Sequence, residues 1–339
     1  EAHAREGAGE PGAGADAFAQ EELASALAWC ARQCTAALGH RERSREAADD
    51  EAGGEERLRG VDGQDEEELA TLDREDDALL LRLHQGLLGP LRGKRAPLRY
   101  EHVFVDEVQD LSPVELSVVL DTVSDQQSVT LAGDVAQRLH LDNGFTSWRA
   151  VLRDLGLDHV EVEPLRLSYR STYEILELAN EVLGPLRNDV AGEATRHGAP
   201  VELFRFGSSG EAVAFLSEAL RALAGAEPLA SVAVLARYPE QADVYYKGLR
   251  YGEVPYLRRV ARQDFSFRPG VDVTDVRQVK GLEFDYVVLV DCNTATYPVD
   301  DESRHLLHIA ATRAAHQLWV LTTGSPSVLL PATLREQAG

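Results

Sequence analysis

Apolar positions along this chain fall into short dense runs, separated by stretches with helical spacing. That alternation predicts helices packed on a mostly parallel sheet. The run Val103-Phe104-Val105 lacks polar interruptions and predicts a strand buried on both faces. Before it, Asp76 to Leu83 predicts a helix that ends near Gly89-Pro90. After it come a helix from Pro113 to about Val123 and a second buried strand, Ser128 to Ala132. Past Glu163 the pattern restarts with a helix over Tyr173–Leu183, N-capped by Ser171 or Thr172. Strands are expected at Val201–Phe206, Ser231–Leu235, Val254–Val260, Val271–Val276, Tyr286–Val290 and Leu318–Leu321, with helices at Gly210–Leu223, Pro239–Arg250 and Ser303–Ala315. The reading is two α/β units meeting near residue 160.

The first 72 residues break this pattern. A Gly/Ala-rich run, Gly7 to Gly14, reads as a flexible leader. Phe18 to Leu38 has helical spacing in Leu23, Leu27, Cys30 and Cys34, and Asp49 to Asp65 reads as a loose acidic connection. Cys30, Cys34 and His40 are better explained as a helix face than as metal ligands, because no fourth ligand is evident. The expected division is an acidic helical and flexible insertion segment over 1–72, part of a first lobe over 73–160, and a second lobe over 161–339.

Charge alters the picture of partners. The chain of 339 residues has 57 acidic against 34 basic side chains, a formal net charge of −23. A surface that acidic repels phosphate backbones on average, so nucleic acid would need a local basic groove, and a basic protein surface fits at least as well. Three cysteines make no disulfide framework and point to a reducing compartment, the cytoplasm. No apolar run approaches ~20 residues, which argues against a membrane span. Methionine is absent altogether, so the chain is read as a fragment.

Candidate chemistry gathers at strand ends. Val105 leads into Asp106-Glu107-Val108-Gln109-Asp110, and the second strand runs into Gly133-Asp134-Val135-Ala136-Gln137. In open α/β sheets, ligands bind where strands run out. An Asp there can hold Mg²⁺ and a neighbouring acid can orient an attacking water. An acidic turn capping the helix that begins at Ser112-Pro113 would leave the same trace.

These motifs together resemble the UvrD/Rep group of superfamily 1 helicases. Asp106 to Asp110 is similar to that family's Walker B motif, Leu131 to Asp134 with Gln137 to motif III, and Ser168 to Thr172 to motif IV. Gln278-Val279-Lys280-Gly281-Leu282-Glu283-Phe284 is similar to motif V and Ala311-Thr312-Arg313-Ala314 to motif VI. The resemblance implies two RecA-like P-loop NTPase lobes with parallel sheets, binding ATP and Mg²⁺ between them. It implies that Asp106 holds Mg²⁺, Glu107 polarises water and Gln137 senses the γ-phosphate. Tyr169 would stack on adenine, Glu283 would bind the ribose beside a permissive Gly281, and Arg170 and Arg313 would reach the γ-phosphate. Single-stranded DNA is the implied track.

The chain also departs from the family. The phosphate-cradling G-x-x-x-x-G-K-[ST] loop is absent, so the first lobe is expected to be incomplete, its Walker A strand lying upstream of Glu1. A degenerate, non-hydrolysing relative is the alternative. The large DNA-facing insertion between motifs IV and V is missing, and Phe145 and Trp148 read as core rather than as a stacking platform. These features resemble the HelD-like branch, whose members are ATPases bound to RNA polymerase.

Overall fold

The computed structural model describes residues 74–126, 128–139, 143–187 and 193–337. The expected Phe18–Leu38 helix, Cys30, Cys34, His40 and the acidic connection lie outside them. All described residues belong to one compact unit, Asp73–Gly339.

Helix α1 (Arg74–Leu88) ends where Gly89 turns left-handed at φ 87°. Strand β1 (Val103–Val105) pairs in parallel with β2 (Val129–Leu131). Between them lies α2 (Pro113–Leu120), with Pro113 at its first position. Ser112 accepts the Glu115 N–H while Glu115 accepts the Ser112 N–H, a reciprocal cap that satisfies two otherwise orphaned donors. Helix α3 (Trp148–Asp154) closes this layer over a small core of Val108, Leu116, Phe145 and Val151. Phe145 is fully buried, edge-on to Trp148 at 5.6 Å, as expected for core.

The expectation of a first strand buried on both faces fails. Phe104 is 61% exposed, because a pair of three-residue strands presents only one face to this small core.

Beyond it, β3 (Leu167–Ser168) pairs with β4 (Glu193–Ala194), and α4 (Tyr173–Leu183) starts and stops at the expected residues. Neither candidate cap bonds the helix. Thr172 sits at the N-cap without a side-chain bond, and Ser171 donates instead to the Ala314 carbonyl at 2.9 Å.

The rest is a six-stranded parallel sheet in the order β5-β10-β9-β6-β8-β7. Its strands are β5 (Glu202–Phe206), β6 (Ser231–Ala236), β7 (Leu257–Arg259), β8 (Gly270–Asp275), β9 (Phe284–Leu289) and β10 (Ala314–Thr323). Its helices are α5 (Ser209–Ala226), α6 (Pro239–Tyr251), α7 (Asp301–Ala311) and the terminal α8 (Ala332–Gln337). In β6, Val232 and Val234 face Leu216 and Leu249 of α5 and α6, while Ala233 and Leu235 face Ile175 and Leu307 of α4 and α7. That is burial on both faces, which the continuous apolar run requires. The helix expected through Ala315 stops at Ala311, because Ala314 already pairs with Phe284 as the first residue of β10. The strand expected from Val254 shortens to Leu257–Arg259.

Candidate functional site

Strand β1 delivers Asp106 and Glu107 to its carboxyl end. Asp106 is exposed, and its Oδ1 accepts the Glu107 N–H at 2.9 Å. Glu107 is left-handed, φ 53° and ψ 38°, a conformation costing a non-glycine residue about 1–2 kcal/mol. The surroundings hold it there. Gln109, fully buried, donates to Glu107 Oε2 at 2.6 Å and accepts the Asp134 N–H at 2.9 Å. Gly133 is required by this approach, since a Cβ there would lie 2.4 Å from Gln109 Oε1. Asp134 then caps the turn Val135–Gln137 and accepts from Gln137 Nε2 at 2.9 Å.

The six-stranded sheet, its turns and α7 meet this layer through Leu139, packed against the sheet's core, and through polar side chains. Arg313, 1% exposed, donates to Gln137 Oε1 at 2.6 Å, and to the Ile309 and Leu282 carbonyls at 3.1 and 3.0 Å. Burial pulls its pKa down to about 10, helped by the nearby Arg170 charge and opposed by Glu107, Asp134 and Glu283. It therefore stays charged at neutral pH. Lys280, largely buried, donates to Asp110 Oδ2 at 2.5 Å and the Gln137 carbonyl at 2.6 Å, and stands 3.6 Å from Glu107 Oε2. His305 approaches the Ala136 carbonyl at 2.8 Å. Arg170 and Glu283 form a half-exposed ion pair at 2.6 Å.

Glu107, Gln137, Arg170, Glu283 and Arg313 thus gather at one junction. Gln137, Tyr169, Arg170 and Arg313 line an open cleft of about 1720 Å³. Tyr169 is 72% exposed on its wall, a flat ring free for stacking. Asp106, Glu107, Gly281 and Glu283 are not among the lining residues of that cleft. Gly281 has φ +77° and nothing within 4 Å of an added Cβ, so its backbone conformation, rather than a crowded approach, calls for glycine.

Residues 270–321, from β8 into β10, match the model of the UvrD-like helicase C-terminal domain. Over 170 residues, 48% of the chain, the sequence is 30% identical to the ATP-dependent DNA helicase UvrD2 of Mycobacterium tuberculosis and of Mycobacterium bovis. The match covers 24% of each, so the chain spans about a quarter of the length of the curated relatives it matches. A solved structure, the C-terminal domain of a possible DNA helicase from Lactobacillus plantarum WCFS1, is 24% identical with a TM-score of 0.41. It covers 49% of this chain, which covers 96% of it. Residues 270–321 are thus similar to the UvrD-like helicase C-terminal domain.

The residues that hold the junction together are not all those that the motifs mark. Lys280 was noted only as part of motif V, and Asp110, Gln109 and Asp134 carried no assigned role. The signal available was their place inside matched motifs. What could not be read was that Lys280 reaches a partner 170 positions away. Among the described residues no group of three or more His, Cys, Asp and Glu side chains surrounds a single metal position, and no helix is long and apolar enough to cross a membrane.

Proposed function

We propose that the protein is an ATP-dependent DNA translocase or helicase, in which ATP is hydrolysed where residues 73–160 and 161–339 meet as two RecA-like lobes. The observation that carries this is the buried Arg313, reaching from the start of β10 to Gln137, one hydrogen-bonded chain away from Glu107.

The residues present fit the nucleotide and its metal. Mg²⁺ binds through one or two carboxylates, with phosphates and water completing its shell. Asp106 is exposed and has one oxygen committed to a backbone N–H, so it can supply such a ligand. Mg²⁺ would neutralise charge developing on the phosphates. Glu107 would orient the attacking water, because Gln109 fixes one of its carboxylate oxygens and leaves the other to accept a proton. Gln137 would report the terminal phosphate to the Asp134 turn. Arg313 and Arg170 would spread negative charge at the transferring group, a role worth ~10³–10⁵ in rate for an arginine finger. Tyr169 would stack on the base. Glu283 would exchange its Arg170 partner for ribose hydroxyls, with Gly281 keeping that turn left-handed. The sequence holds no G-x-x-x-x-G-K-[ST] loop, so no residue here is assigned to cradle the β-phosphate.

The partner in this reading is single-stranded DNA and the compartment the cytoplasm. The relatives named above carry helicase in their names and none carries RNA polymerase. The test, made in the full-length protein, is Glu107→Gln: ATP turnover should vanish while binding of a fluorescent ATP analogue persists. Unchanged turnover would overturn the assignment.

A further inference from the structure

In a chain with net charge −23, residues 250–268 are an exception, holding five arginines against Glu253 and Asp264. The segment runs from the end of α6 through β7, the edge strand of the six-stranded sheet, to the start of β8. Two of its arginines are occupied. Arg258 pairs with Asp272 at 2.6 Å and Arg259 with Asp243 at 2.7 Å. Arg250, Arg262 and Arg268 are exposed.

Aromatic rings stand among them. Tyr256 is 69% and Phe267 82% exposed, unlike the buried rings of the two cores. Both rings are on left-handed residues, with φ 53° and 52°. Four of the six left-handed non-glycine residues among those described fall between Glu253 and Phe267. An aromatic residue in that region is strained, and such strain persists only where the surroundings impose it. Here Arg258 imposes it. Its guanidinium donates to the Arg268 and Pro269 carbonyls at 2.8 and 3.0 Å, pinning the Phe267 turn. The turn passes close to Tyr256, whose backbone carbonyl oxygen lies 2.6 Å from where a Gly270 Cβ would be. The exposed Phe267 and Arg268 thereby lie on a turn fixed close in the chain to Gly270, which packs against the exposed Tyr256.

We propose that Tyr256, Phe267, Arg262 and Arg268 form a binding surface for single-stranded nucleic acid along the β7 edge. This rests on the reading of the protein as one that acts on nucleic acid. Cations set beside exposed rings suit a strand whose bases stack while its phosphates pair, without sequence preference. An acidic polypeptide would meet the cations and leave the rings unused.

The test is fluorescence anisotropy of the full chain with a labelled 20-nucleotide oligo-dT, and with a labelled poly-glutamate peptide of like charge, at low salt. Oligo-dT should bind at least ~10-fold more tightly than poly-glutamate. Tyr256→Ala and Phe267→Ala should each weaken oligo-dT binding by ~10-fold, in the range for loss of one stacked base. Arg262→Ala with Arg268→Ala should reduce the salt dependence by about 1.4 in log K against log salt, from ~0.7 per phosphate contact on single strands. Val328→Ser, elsewhere on the surface, should change nothing. Circular dichroism of each variant guards against misfolding. Equal binding of the two polymers, no oligo-dT binding by the wild type, or unchanged binding by both ring variants would each overturn the proposal. ATP turnover by the full-length protein without oligonucleotide reports on the Glu107 site and not on this surface, so a failure here leaves that reading standing.

Discussion

The bond between Arg313 and Gln137 lends itself to a double-mutant cycle. Arg313 makes four donor contacts, and those to Ile309 and Thr312 of α7 and its cap and to Leu282 before β9 stay on its own side of the junction. Removing the guanidinium leaves buried neutral acceptors without their donor, at a cost of about 1–3 kcal/mol for each one left unsatisfied. Gln137→Ala removes two hydrogen bonds to charged groups, one from Arg313 and one to Asp134, each worth about 1.5–3 kcal/mol. The double variant should lose less than the sum, by about 1.5–3 kcal/mol, since the shared bond is then counted once. Urea unfolding of the four proteins, followed by fluorescence of Trp148 and Trp319, measures this coupling. Arg237 supplies the control. It is also buried, but it donates to the Thr296 carbonyl and to Glu302, so Arg237→Ala and Gln137→Ala should add. A coupling below about 0.5 kcal/mol, the usual error of additivity, would mean that the junction does not form as described.

Three further outcomes are expected. Arg170→Ala should slow ATP turnover by roughly 10²–10⁴-fold, yet shift unfolding little, because its ion pair with Glu283 is about half exposed and worth ~0.2–1 kcal/mol; a large stability loss with normal turnover would make it a structural residue. Lys280→Met leaves Asp110 and Glu107 facing each other without their cation, so the thermal midpoint should fall by an amount that Lys280→Arg partly restores; no change in midpoint would refute the contact. Burial lowers the His308 pKa, partly offset by the bond from its ring to the Ala179 carbonyl at 2.9 Å. The folded protein then binds fewer protons than the unfolded chain, so stability should fall as pH drops below about 6.5; His308→Asn should flatten that slope, and an unchanged slope would assign it elsewhere.

Much of the fold was legible because its signals are local. Tyr173–Leu183 formed as read, since the apolar spacing of Ile175, Leu178, Ala179 and Val182 marks one buried stripe. The dense run of β6 was equally clear, because a strand covered on both faces has no polar positions to spare. The same rule misled at β1. Three apolar residues carry no information on how many strands flank them, and the β1–β2 pair is too narrow to bury Phe104. The end of α7 was missed for another reason. Ala310 to Ala315 favours helix throughout, and only the pairing of Ala314 with Phe284 turns it into strand.

The site was legible as residue types and illegible as contacts. Order along the chain pointed to Glu107, Gln137, Arg170 and Arg313, but gave an isolated Arg313 no reason to be more than a surface charge. Its burial follows from a feature no motif states. The turn after α7 places the guanidinium under the Ile309 and Leu282 carbonyls, which take up two of its donors and leave the third aimed at Gln137. The left-handed Glu107 is similar. Its conformation cannot be inferred from a glutamate in sequence, because left-handed positions favour glycine and asparagine. It holds because Gln109 is locked between the Glu107 carboxylate and the Asp134 N–H, and because Gly133 leaves space for that lock. Gly133→Ala should therefore be felt at Glu107. The new methyl would push Gln109 out of place, release the carboxylate it fixes, and slow turnover although neither residue touches the nucleotide. If turnover in Gly133→Ala matches the wild type, Gln109 is not what positions the acid.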